Sequence, residues 1–178
     1  MQAIVAVGMP PSIREPQLYL TVVLASRIYA ISIEAVKEIV SYRMLTALPR
    51  MPDHMRGVIE RCGAAVPVID LASRLEQARG KVTRRTCIVV AEVALAGASL
   101  DVGMVVDGAS EVVEILSEHI EALPPRDPGL APCVTAVAGG NDERSVRILD
   151  VDTVLSPSDL TTLRQAAVAG REASATAA

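Results

Sequence analysis

The stretch Gly57-Val58-Ile59-Glu60-Arg61-Cys62-Gly63-Ala64-Ala65-Val66-Pro67-Val68-Ile69-Asp70-Leu71 reads as two short strands, Gly57–Cys62 and Ala64–Ile69, broken at Gly63. Pro67 lacks an N–H for a hydrogen-bond ladder and so suits an edge strand. Asp70 follows with a side chain able to accept bonds from the free N–H groups of a short helix, Leu71–Leu75.

Upstream, Leu18, Leu20, Val22 and Leu24 alternate with Tyr19, Thr21 and Val23, which predicts a strand buried largely on both faces. Ser26-Arg27 is the expected tight connection to a second strand, Ile28–Ile33, although no glycine marks the turn. Glu34–Val40 leaves two readings open, one helical turn or the start of a strand, and Thr46–Pro52 is a loop. Downstream of a polar segment, 76–85, strands are predicted over Thr86–Val93, Ser99–Asp107 and Ser110–Leu116, with turns at Gly97 and Gly108. A Pro-rich loop, Pro124–Pro132, leads to a hairpin of Cys133–Ala138 and Ser145–Leu149 across Gly139-Gly140-Asn141-Asp142. Asp150–Leu155 suits a short helix. Ser156 or Ser158 then caps a final amphipathic helix carrying Leu160, Leu163 and Ala167 on one face. About nine or ten short strands with turn signals roughly every 8–12 residues point to an all-β barrel or a pair of barrels. A parallel α/β sheet is disfavoured because no long crossover helices separate the strands. The chain divides into a flexible N-terminal arm (1–16), one globular domain (17–157), and a C-terminal helix with a frayed tail (158–178).

Composition narrows the function. With 51% hydrophobic and 21% charged residues the chain is globular, and with no Phe or Trp its core must be built from Val, Ile, Leu, Ala and Met. Tyr19, Tyr29 and Tyr42 are the only aromatics, too few for stacking on single strands of nucleic acid. A net charge of −4, with Lys81–Arg85 the one basic run and best read as a solvated loop, argues against nucleic-acid binding. Cys62, Cys87 and Cys133 form neither a C-x-x-C pair nor a zinc spacing, so no disulfide framework and no metal site is expected. No run approaches the ~20 apolar residues of a membrane span, and Met1–Met9 lacks the basic start of a secretory signal. A cytoplasmic protein is expected.

Nothing in the sequence assembles a catalytic site or calls for a cofactor. His54 and His119 both lie in polar, loop-like surroundings that predict solvent exposure. A Cys62/His54 nucleophile pair, which would make the protein a thiol enzyme, lacks a third orienting group. Gly139-Gly140 is not followed by the Lys or helix start of a phosphate cradle. Asp101, Asp107, Glu111 and Glu114 are spread over strands rather than converging.

The opening stretch resembles the signature of CheW-like domains, in which Gly-Val-[Ile/Val]-Asn-Leu-Arg-Gly precedes [Val/Leu]-Pro-[Val/Ile]-[Ile/Val]-Asp-Leu. Four further stretches fit in order: Tyr29-Ala30-Ile31-Ser32-Ile33 with Val36-Lys37-Glu38-Ile39, Leu48-Pro49 to Pro52, Gly103–Asp107 with Glu111-Val112, and Ile148-Leu149-Asp150-Val151. The resemblance covers roughly residues 17–157. It implies two intertwined, five-stranded, SH3-like barrels sharing a core, and no catalysis. It implies a cytoplasmic adaptor, at receptor arrays on the inner face of the membrane, linking a CheA-type histidine kinase to chemoreceptors. One barrel end would dock the kinase regulatory domain, and the groove between barrels would grip the cytoplasmic tip of a methyl-accepting chemoreceptor. A stand-alone regulator of a kinase outside motility is the alternative within the same family. The family's binding positions map onto Val36, Glu38, Ile39, Gly57, Cys62, Gly63, Gly103 and Val106. Five of them also have a structural reading: turn geometry for Gly57 and Gly63, ordinary core for Val36, Ile39 and Val106.

One departure stands out. Where the family has Asn-Leu-Arg, this chain has Glu60-Arg61-Cys62. Cys62 removes the cation expected beside Glu38, and alternation along a strand would send Arg61 to the opposite face, leaving Arg43 or Arg56 as substitutes from loops. The expectation is an interface diverged in charge, insulating one signalling system from another.

Overall fold

The computed structural model describes residues 16–75, 77–95, 97–123, 133–139, 145–156, 158, 159, 161, 162 and 165. The N-terminal arm, the Pro-rich loop, the tip of the last hairpin and most of the expected C-terminal helix lie outside them.

Eleven strands run through the described residues: β1 (Gln17–Leu24), β2 (Arg27–Ser32), β3 (Val36–Ser41), β4 (Met55–Arg61), β5 (Ala64–Asp70), β6 (Cys87–Leu95), β7 (Ala98–Val106), β8 (Gly108–Ile115), β9 (Ile120–Ala122), β10 (Val134–Ala138) and β11 (Val146–Leu149). A short α-helical turn, α1 (Leu71–Arg74), is capped by Asp70, whose carboxylate accepts from the Ser73 N–H at 3.1 Å. The strands form two curled sheets. One is ordered β8-β1-β2-β11-β10-β9 and the other β3-β6-β7-β5-β4. This is the two-barrel architecture expected, with one difference: β9, too short to show in the sequence, makes the first sheet six-stranded. The ambiguous segment after Glu34 is a strand. Asp150–Leu155, expected as a short helix, contains a 3-10 turn at Val151–Thr153.

Side-chain alternation explains how the sheets share a core. Leu20, Val22 and Leu24 of β1, Tyr29 and Ile31 of β2, and Val89, Ala91, Val93, Val102, Met104 and Val106 of β6 and β7 all meet in one cluster between the sheets. The intervening positions fill each barrel separately. Tyr19, Ala30, Ala136, Ala138 and Ile148 lie inside the first. Ile59, Val66, Val68, Ile88, Val90 and Val105 lie inside the second. A strand that serves two cores must be apolar on both faces, and that is the pattern of β1 and β6. Side chains small enough for the barrel interiors replace the missing Phe and Trp.

Two hairpins turn differently from expectation. The β1–β2 turn is Ala25-Ser26 rather than Ser26-Arg27, since Leu24 pairs with Arg27. Both residues have positive φ, 48° and 66°, which suits the twist of a two-residue hairpin but is costly without glycine. Asp107 compensates: its carboxylate accepts from the Ala25 N–H at 3.0 Å, and its own N–H donates to the Val23 carbonyl at 3.0 Å. The β4–β5 turn is Cys62-Gly63, with φ of 50° and 79°.

Candidate functional site

β3 and β4 are the two edges of the five-stranded sheet. Curling brings these edges together, and Glu38 on β3 meets Arg61 on β4 there. Arg61 Nε donates to Glu38 Oε1 at 2.6 Å, and Nη2 donates to Glu38 Oε2, giving a two-pronged pair. Hydrogen bonding to Glu38, the largest influence, raises the Arg61 pKa above its ordinary value, so the cation is always present.

This corrects the expectation for the missing cation. Cys62 does not occupy a strand position; it is exposed in the turn, in left-handed backbone conformation. Arg61 is the last residue of β4, two places after Ile59, whose side chain fills the barrel. Alternation therefore puts Arg61 on the barrel side, where Glu38 waits, and it is residue 62 that would have been misplaced. Arg43 and Arg56 are not the substitutes. Arg56 donates from Nη2 to the Tyr42 hydroxyl at 2.6 Å and lies over that ring, 5.9 Å from its centroid.

Around the pair, Ile39 is 47% exposed on the outer face of β3, and Val36 is half-buried. Lys37 points outward to Asp101, 2.7 Å away, and to Glu92 at 3.4 Å. Its pKa is raised, chiefly by the bond to Asp101. Glu38 thus lies in the seam itself, Val36 and Ile39 flank it along β3, and Cys62 and Gly63 form the turn that follows Arg61, with Gly63 open to solvent. Gly57, Gly103 and Val106 do not share that surface. A Cβ on Gly57 would sit 2.1 Å from the Thr46 carbonyl oxygen, and one on Gly103 would sit 2.8 Å from Ile88 Cγ2. Val106 is fully buried between the sheets.

Sequence reasoning missed Arg61 as the partner of Glu38, and it did not show that Arg56 goes to Tyr42 instead. The signal for Arg61 was there: counting alternation from the apolar Ile59 places it inward. His54 also differs from expectation. Its Nε2 lies 2.6 Å from Asp159 Oδ1, so the ring is engaged by a buried carboxylate and is not paired with Cys62. His119 is exposed as expected, beside Glu118. It lines, with Val23, Ile28, Val113, Ile115 and Val146, an open groove of about 400 Å³ at the mouth of the first barrel. On the other face of the same sheet, Leu18, Val112 and Leu116 leave apolar surface exposed. Among the described residues no cluster of His, Cys, Asp and Glu could hold a metal ion, and no helix is long and apolar enough to cross a membrane.

Comparison with known proteins agrees with this fold. Residues 18–158 match the family described as CheW-like domain. The chain is 31% identical over 144 residues to the chemotaxis protein CheW of Klebsiella aerogenes, covering 81% of this chain and 84% of that one. It is 30% identical over 131 residues to a probable chemotaxis protein CheW of Rhizobium etli, covering 74% and 82%. The crystal structure of the scaffolding protein TtCheW from Thermoanaerobacter tengcongensis superposes with a TM-score of 0.71 over 85% of this chain and 95% of that one. At 24% identity that likeness speaks for the fold.

Proposed function

This chain belongs to the CheW-like domain family, and on that premise we propose that it is a non-catalytic chemotaxis adaptor coupling a CheA-type histidine kinase to chemoreceptors. Its place is cytoplasmic, at receptor arrays beneath the membrane. The observation that carries the reading is the match over 18–158, which spans both barrels and includes every element of the β3–β4 seam. An adaptor needs two surfaces usable at once. The molecule offers the seam with its exposed Ile39 on one barrel and separate exposed apolar residues, Leu18, Val112 and Leu116, on the other. The seam, through Val36, Glu38, Ile39, Cys62 and Gly63, contacts a partner directly. Gly57, Gly103 and Val106 hold the barrel in the shape that contact requires.

The test is a three-component pull-down with the regulatory domain of a CheA-type kinase and a receptor cytoplasmic fragment. Simultaneous capture of both partners is expected. Capture of the kinase alone, with the receptor excluded, would instead favour a stand-alone kinase regulator.

A further inference from the structure

The segment that leaves β11 crosses from the first barrel to the second and is held there at three separate places. Asp152 Oδ1 accepts the N–H of Ala94 on β6 at 2.7 Å. The Val154 carbonyl accepts from Arg74 Nε on α1. Asp159, only 6% exposed, binds His54 in the loop before β4. Along the same stretch Val151, Val154 and Leu155 sink into the core shared by the two sheets. The start of the segment stays with the first barrel, through the Asp150 N–H to the Cys133 carbonyl at 2.9 Å.

From this arrangement we infer that Asp150–Ser156, with the following Asp159, is a strap that sets the angle between the barrels, and that His54–Asp159 is its releasable end. Each inner anchor joins one side chain to a main-chain group, and both lie beside Val151, Val154 and Leu155, which are part of the shared core. The outer one is a single side-chain contact between groups 105 residues apart, on a part-exposed imidazole. Asp159 is prepared for it locally. Its Oδ2 accepts the Ser156 N–H at 2.9 Å, and its own N–H donates to Ser156 Oγ at 3.2 Å, a reciprocal cap that fixes the carboxylate before His54 arrives. His54 is fixed in turn, because its carbonyl accepts the Asp70 N–H at 2.7 Å at the end of β5. Two pre-positioned groups, one on the segment that leaves the first barrel and one on the second barrel, form a joint, and opening it leaves each barrel intact.

The experiment measures the joint and the angle together, in the full chain. His54→Ala removes the outer contact alone; Asp159→Ala serves as the second variant and also loses the Ser156 cap. Amides of Val151–Ser156 should exchange about tenfold faster in either variant, the equivalent of one lost charge-assisted hydrogen bond, while those of β6 and β7 keep their protection. Spin labels at Ile39 and Val112, exposed positions on the two sheets, in a Cys62→Ser background should then show a broadened distance distribution. Unchanged exchange overturns the joint. Faster exchange with an unchanged distance distribution overturns the strap.

Discussion

Arg61 and Glu38 meet fork to fork across the line where β4 and β3, the outermost strands of the five-stranded sheet, close on each other. No main-chain ladder joins these two strands in the sheet order, so this pair is a side-chain closure of the barrel. The geometry is bidentate and both side chains are about one-third exposed, which keeps the pair within reach of solvent and of a partner.

Arg61→Ala and Glu38→Ala should each lower the melting temperature, and the double variant should be no worse than the weaker single. That is the signature of coupled residues in a double-mutant cycle, and the coupling should shrink as salt is raised. Cys62→Arg adds a second cation to an exposed turn where one is already supplied. Calorimetry with a kinase regulatory domain should therefore show affinity unchanged within about twofold. A tenfold gain would mean that Arg61 does not fill the role assigned to it.

Two glycines within one signature should respond very differently to the same substitution. Gly57 has φ of 142°, and its missing Cβ would lie 2.1 Å from a main-chain oxygen that cannot swing away. That oxygen is bonded to the Val58 N–H at 2.9 Å, so relief would break the bridge between Thr46 and Val58. Gly57→Ala should cost about 3 kcal/mol or more in urea unfolding. Gly63 has nothing within 4 Å of the added atom, and only its φ of 79° opposes a side chain. Gly63→Ala should cost about 1 kcal/mol. Equal losses would show that the close approach of Thr46 is not what Gly57 serves.

The contrast shows which parts of the fold local patterns reveal. Strand existence was legible wherever alternation ran for six residues or more, as in β1, β6 and β7, because burial on two faces demands apolar residues at every step. Asp70 was legible as a cap because a side-chain acceptor before Leu71 acts within one turn. What pattern alone does not carry is closure. Glu38 and Arg61 are 23 residues apart and meet only because the sheet curls, a property of all five strands together. β9 escaped notice for a related reason: at three residues, with Glu121 in its centre, it owes its pairing to β10 rather than to its own propensity. His54 was read from its polar neighbours in sequence, whereas its environment is made by Asp159.

That last contact gives the fold a dependence on acid. Burial, the largest single influence on Asp159, pushes its carboxyl pKa up, but the Ser156 N–H and hydroxyl and the His54 ring together bring it below the ordinary value. A carboxyl depressed in the folded state contributes stability that is complete above its unfolded pKa, near 3.9, and is lost as pH falls through the lower folded value. The native chain should therefore lose this contribution only below about pH 4. Asp159→Asn should be about 1 kcal/mol less stable at neutral pH, since the neutral amide is the weaker acceptor. Urea unfolding across a pH series should show the gap between the two proteins closing as acid protonates Asp159 in the native chain. A gap that stays constant to the lowest pH would assign the loss to packing rather than to the charge on Asp159.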